Sequence, residues 1–84
     1  MKMNEEQLSG YEMWLKNIGK VISSHRQKLG LSQRQASEAC SLNLKFYRDI
    51  EYGRRPVTTR TMFAICTGLN MPLPFGEAIR LICD

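Results

Sequence analysis

Apolar residues recur at helical spacing in five groups along the chain, separated by Gly, Pro, Ser and Asn, and this pattern predicts five helices and no strand. Ser9-Gly10-Tyr11-Glu12 forms a capping box, with Leu8 and Met13 placed to staple across it, so the first helix is predicted to begin there. It runs to about Leu29 with Trp14, Ile18, Ile22, His25 and Leu29 on one stripe, and Gly30 stops it. The second helix opens on Ser32, with Gln35 reaching back, carries Ala36, Ala39 and Cys40 inward, and ends near Cys40. After the polar break Ser41-Leu42-Asn43, Asn43 caps a third helix from Leu44 to Tyr52, closed by Gly53. Pro56-Val57 turns the chain and Thr58 caps a fourth helix that buries Met62, Phe63, Ile65, Cys66 and Leu69, with Gly68 and Asn70 at its end. Met71-Pro72-Leu73-Pro74 then breaks the chain, and Pro74 suits the first turn of a last helix carrying Phe75, Ala78, Ile79 and Ile82, widened by Leu81. Residues 1–8 read as a flexible segment and residues 9–84 as one all-α, five-helix domain.

Helices two and three, joined by a tight turn at about residues 32–52, make a helix-turn-helix. In the third, Tyr47, Ile50 and Glu51 fall on the inward face, which leaves Leu44, Lys45, Arg48 and Asp49 together on the other. Arg54 and Arg55 follow at once, where a phosphate backbone would pass.

Charge sharpens this picture. The whole chain has twelve Lys+Arg against eight Asp+Glu, but residues 16–60 hold ten cations and three acids, a net of +7, while Glu5, Glu6 and Glu12 lie before them. A face of strong positive potential follows, as in a nucleic-acid binder, although a solvated surface alone could give the same balance. Eighty-four residues build one helical core and leave little for a catalytic cleft, so an enzyme is not expected. The three cysteines, Cys40, Cys66 and Cys83, form no metal-ligand spacing and read as reduced, structural thiols, so no metal and no cofactor is expected. No apolar run reaches membrane-span length and the amino terminus lacks an apolar leader, which points to the cytoplasm.

Ile18-Gly19-Lys20 leading to Arg26, then Gly30-Leu31-Ser32-Gln33, then Ile50-Glu51-x-Gly53-x-Arg55 together resemble the Cro/CI (lambda-repressor-like, XRE) family of DNA-binding proteins, in register over roughly Ile18 to Leu69. The resemblance implies an ion pair between Arg26 and Glu51 that holds the third helix on the scaffold; direct contact of Arg26 with phosphate is the alternative. The chain departs from the family at Ser37, Ser41 and Tyr47, where alanine, glycine and an aliphatic residue are usual, at Ala36 and Cys40, where leucine is usual, and at His25. Ser41, in a left-handed turn, would cost on the order of 1 kcal/mol.

These observations give a leading functional expectation: a homodimeric, sequence-specific regulator of transcription, by default a repressor, that places the third helix of each subunit in successive major grooves of double-stranded DNA at a palindromic operator. Arg48 or Lys45 suits guanine, Asp49 cytosine N4 and Leu44 a thymine methyl, although Lys45 and Asp49 could equally pair with each other at i,i+4. Gln33 and Asn43, at the starts of helices two and three, would meet phosphates, as would Arg54 and Arg55. Thr58, Thr59 and Arg60 lie at a helix amino terminus whose free N–H groups favour a phosphate oxygen. The dimer interface would be Phe75, Ala78, Ile79 and Ile82. The competing expectation is an antitoxin or anti-repressor on the same fold, gripping a protein partner, a toxin or a regulator, through Tyr11, Trp14, Phe75 and Ile79. A redox switch at Cys83 would require an intersubunit bridge.

Overall fold

A computed structural model describes residues 2–72 of the protein. Among the described residues there are four helices, α1 (Glu5–Lys28), α2 (Gln33–Ala39), α3 (Leu44–Glu51) and α4 (Thr59–Gly68), and no strand. The fifth helix expected from Pro74 onward, with Phe75, Ala78, Ile79, Leu81 and Ile82, and the thiol of Cys83, lie outside the described residues.

Local capping chemistry fixes all four starts, three of them where the sequence predicts them. Ser32 Oγ accepts from Gln35 N at 3.0 Å while Gln35 Oε1 accepts from Ser32 N at 2.8 Å, the reciprocal box read from the sequence. Asn43 Oδ1 accepts from Lys45 N and Phe46 N, and Thr58 Oγ1 accepts from Thr61 N. The start of α1 differs from expectation. It is capped by Asn4, whose Oδ1 accepts from Gln7 N at 2.8 Å while Gln7 Oε1 takes Asn4 N, so Glu5 to Leu8 form the first turn and Ser9 and Gly10 lie inside the helix. Two capping sequences compete here, and Glu5 and Glu6 favour the upstream one because a first turn stabilises negative charge. Leu8 and Met13 are consequently exposed helical residues and not a staple across a cap.

The face that α1 buries is also rotated from the predicted stripe. Leu15, Gly19 and Ile22 are buried and Ile18 packs beside them, whereas Trp14 and Leu29 are 59% and 46% exposed. Gly19 decides the rotation: a Cβ there would lie 2.7 Å from the Ile50 carbonyl oxygen, so only glycine lets the end of α3 lie against α1. His25, on the same side, has Nε2 2.9 Å from the Leu69 carbonyl oxygen. That oxygen only accepts, so the ring nitrogen donates, and α1 is tied to the end of α4.

The core joins Ile22 of α1, Ala36 and Cys40 at α2, Tyr47 and Ile50 of α3, and Ile65 and Leu69 at α4. Two further expected core residues are outside it: Ala39 and Phe63 are exposed, and Ser37 takes the buried place in α2 that Ala39 was predicted to hold. The Ser37 hydroxyl is satisfied by donating to the Arg34 carbonyl at 2.8 Å. The chain between α2 and α3 reverses through Ser41, whose φ of 57° is the left-handed conformation expected of it, and Leu42 N donates to Ser37 O at 2.8 Å to close the end of α2. Cys40 and Cys66 are free, buried thiols; burial pushes the Cys40 thiol up to about 11 and raises Cys66 as well, which leaves both as packing groups.

Tyr47 is fully buried in the same cluster as Ala36 and Cys40, a large residue beside two small ones. Tyr47→Val is therefore expected to leave a cavity and cost about 1 to 3 kcal/mol, and adding Ala36→Leu should restore part of that loss. Urea unfolding of the two single variants and the double variant checks this, and strictly additive losses would show that the two sites do not share volume.

Candidate nucleic-acid interface

The surface expected to meet DNA is built on α3 and the elbow after it. Asn43 begins α3 with its side-chain oxygen committed to the helix cap, leaving the amide nitrogen for another acceptor. Arg48 is exposed, the Lys45 side chain is 84% exposed, and Leu44 is half-buried. Gly53, at φ 70°, ends the helix, and a Cβ on it would approach Lys16 Cα at 2.8 Å, so the elbow rests directly on α1. Arg54 and Arg55 leave this elbow over aromatic rings, the Arg54 guanidinium 4.9 Å from the centre of Tyr52 and that of Arg55 4.2 Å from Phe46. Thr58, Thr59 and Arg60 are exposed at the first turn of α4, with the Thr58 oxygen already capping that turn.

Behind α3 lies a polar chain that ties the exposed face to the scaffold. Arg26 Nε donates to Glu51 Oε2 at 2.7 Å, and Arg26 Nη1 donates to the Leu31 carbonyl at 2.9 Å. The Glu51 side chain is only 2% exposed. Burial by itself opposes the Glu51 charge, yet Arg26, the adjacent Tyr47 hydroxyl and Gln33 outweigh it and hold the carboxyl below its ordinary range, while Glu51 raises Arg26 further. Burial drives the Tyr47 phenol far above its ordinary range, and its oxygen makes no hydrogen bond of good geometry. Gln33 continues the chain outward: Nε2 donates to Glu51 Oε1 at 3.0 Å and to the Tyr52 hydroxyl at 3.3 Å, and Oε1 accepts from Arg48 Nε at 3.2 Å. Glu51 accepts only, so it fixes which way the Gln33 amide points and presents its oxygen to Arg48.

Gln33, expected at phosphates, is thus engaged within the protein between Glu51 and Arg48. Asp49, expected at a base edge, is turned toward Lys45, Arg54 and Arg55, and the i,i+4 contact with Lys45 spans 3.5 Å. Two contributors lie outside the sequence expectation, and a third has a different role from the one expected. Phe46 and Tyr52 underlie the elbow arginines, and Gln33 connects Glu51 to Arg48; Tyr52 stands two residues before Arg54, whereas no local spacing joins Phe46 to Arg55.

Residues 22–75 match a family described as helix-turn-helix. Over 56 residues, 67% of this chain, the sequence is 32% identical to a protein called transcriptional regulator ClgR from two strains of Mycobacterium tuberculosis. The chain spans about half the length of these curated relatives, the aligned part covering 50% of each. No solved structure matches it. Among the described residues no helix is long and apolar enough to cross a membrane.

Proposed function

We propose, from the premise that the chain belongs to the helix-turn-helix family, that it is a DNA-binding regulator of transcription which enters the major groove with α3. The observation that carries this reading is the exposure of Lys45 and Arg48 on α3, with Arg54 and Arg55 at the elbow beyond it. Lys45 and Arg48 are suited to guanine N7 and O6, and Leu44 to a thymine methyl. Arg54, Arg55, Arg60 and the Asn43 amide serve phosphates, with Thr58 and Thr59 at the start of α4 beside Arg60. Glu51 and Arg26 hold α3 at its angle. The name of the mycobacterial relatives supports transcription as the process regulated, and repression by obstructing polymerase is the simplest outcome of such binding.

A homodimer on a palindromic operator completes the proposal, with Phe75, Ala78, Ile79 and Ile82 as the contact between subunits and half-site centres roughly 34 Å apart. Double-stranded DNA is the principal partner and the cytoplasm the place of action. Selection of bound duplexes from a random pool should return an inverted repeat, and Ile79→Glu should sediment as a monomer with weakened affinity for it. A single unrepeated site, or an intact Ile79→Glu dimer, would remove the dimeric arrangement.

One observation favours a second reading, in which a protein partner is held as well. Trp14, exposed and 6.3 Å from the Tyr11 ring, borders an apolar groove with Ile18, Val21, Met62 and Met71. An antitoxin or anti-repressor would use that groove, and stoichiometric recovery of a small protein with the chain, lost in Trp14→Ala, would support it.

A further inference from the structure

Asp49 has a side chain 15% exposed and three cations around it. Lys45 Nζ lies 3.5 Å and Arg55 Nη2 3.4 Å from Oδ2, and Arg54 Nη1 lies 4.0 Å from Oδ1. Both arginines also rest on rings, of Tyr52 and Phe46, so the cluster is gathered from below by aromatic faces and from the side by one carboxylate. These cations are the groups assigned above to a base edge and to the DNA backbone. Resting on that assignment, we propose that Asp49 is a positioning residue, an internal counter-anion that gathers Lys45, Arg54 and Arg55 and that a DNA phosphate must displace, so that it widens the margin between specific and non-specific binding.

The geometry makes the cluster exchangeable. Contacts of 3.4 to 4.0 Å are longer than the roughly 2.7 to 2.9 Å of a strong charge-assisted bond. Arg55 Nε is buried without a hydrogen-bond partner, so this side chain has an unmet donor in the free protein. An arginine with a single long contact to a carboxylate gives up little of that contact's strength when its N–H groups turn to a phosphate that accepts two of them, and the ring beneath it need not be left. Three cations on one carboxylate leave the cluster positive, so DNA is still attracted to it. On a mismatched duplex the attraction is long-range and the internal contacts persist. On a fitted site, where Lys45 is drawn away by a base edge, the arginines transfer to the backbone.

The test compares Asp49→Asn, which keeps the shape and removes the charge, with Asp49→Glu, which keeps the charge. Binding is titrated over a range of salt on a random-sequence duplex and on the best duplex selected by the unaltered protein, with circular dichroism confirming the fold. Asp49→Asn should bind the random duplex about three- to tenfold more tightly at low salt, with a salt slope steeper by about one, and the ratio of selected to random affinity should fall by a similar factor. Asp49→Glu should keep the original slope. The proposal is overturned if Asp49→Asn leaves random-duplex affinity and slope unchanged while losing preference at one base pair, because Asp49 then reads a base. Equal weakening on every duplex overturns it too, since Asp49 then only supports the fold. Should Asp49→Asn fail to fold, the Arg54 and Arg55 Nε–H resonances of the unaltered protein decide: they should shift on the selected duplex and stay near their free positions on the random one, and equal shifts on both refute the exchange. Salt-dependent binding to neither duplex would refute the DNA assignment itself, and the role of Asp49 with it.

Discussion

Arg26→Ala is expected to lower folding stability by about 3 to 5 kcal/mol at neutral pH, because it leaves the Glu51 carboxylate buried without its cation. Glu51 is 2% exposed at its side chain, and Arg26 supplies the shortest contact it has, at 2.7 Å. Gln33 remains as a neutral donor but does not replace a full charge. The loss should depend on pH, and the sign follows from the two proteins' Glu51 groups. In the unaltered protein the folded carboxyl titrates below its unfolded value, so its stabilisation is fully present above about pH 4.5 and is lost as pH falls through the lower, folded value. In Arg26→Ala burial is opposed only by the adjacent Tyr47 hydroxyl and Gln33, the carboxyl titrates higher, and acid relieves the buried charge. The difference in stability between the two proteins should therefore shrink on going from pH 7 toward pH 4. Urea unfolding at both values measures it. A penalty of equal size at both would mean that Arg26 contributes packing and not charge compensation. The α3 face would also tilt, so DNA affinity should fall even though Arg26 touches no DNA in this account.

The second large effect concerns reading. Arg48→Ala and Lys45→Ala are each expected to cost about 1 to 3 kcal/mol on the best operator and to relax preference at one base position per half-site. Arg48 is the more informative of the two, since Gln33 Oε1 accepts from its Nε at 3.2 Å and so limits the directions its remaining N–H groups can take. Gln33→Ala should then resemble a weakened Arg48→Ala, with the same base position affected. Arg60→Ala should differ in kind: it should weaken every duplex alike and lower the salt slope by about one. Filter binding on matched and singly changed operators separates the two classes. Equal losses on all operators for Arg48→Ala would place it among the phosphate contacts.

What could be read from the sequence was what is decided within a turn or two of chain. Ser32 with Gln35, Asn43, and Thr58 cap their helices from three residues away or less, and Ser41 takes the left-handed turn between α2 and α3. The start of α1 lies upstream of the sequence expectation because Asn4 with Gln7 and Ser9 with Glu12 offer the same kind of local signal, and the choice between them lies in first-turn charge. The rotation of α1 was not legible, since it is set by α3 meeting Gly19 across more than thirty residues of sequence. Phe63 and Ala39 face outward against the sequence expectation because their helices are short and a one-residue change of phase moves a side chain about 100° around the axis. Glu51 facing inward was legible from periodicity, and its pairing with Arg26 came only from family resemblance. The engagement of Gln33 with Arg48 and of Asp49 with the elbow arginines depends on side-chain direction between elements, which no spacing rule supplies.

The most direct test of α3 as the reading element is selection of duplexes from a random pool by the unaltered protein and by the Lys45→Ala and Arg48→Ala variants, followed by sequencing. The expected result is an inverted repeat for the unaltered protein and, for each variant, loss of preference at a symmetry-related pair of positions with the rest of the sequence kept. An unchanged selected sequence in both variants, with affinity lowered equally on operator and random DNA, would contradict it.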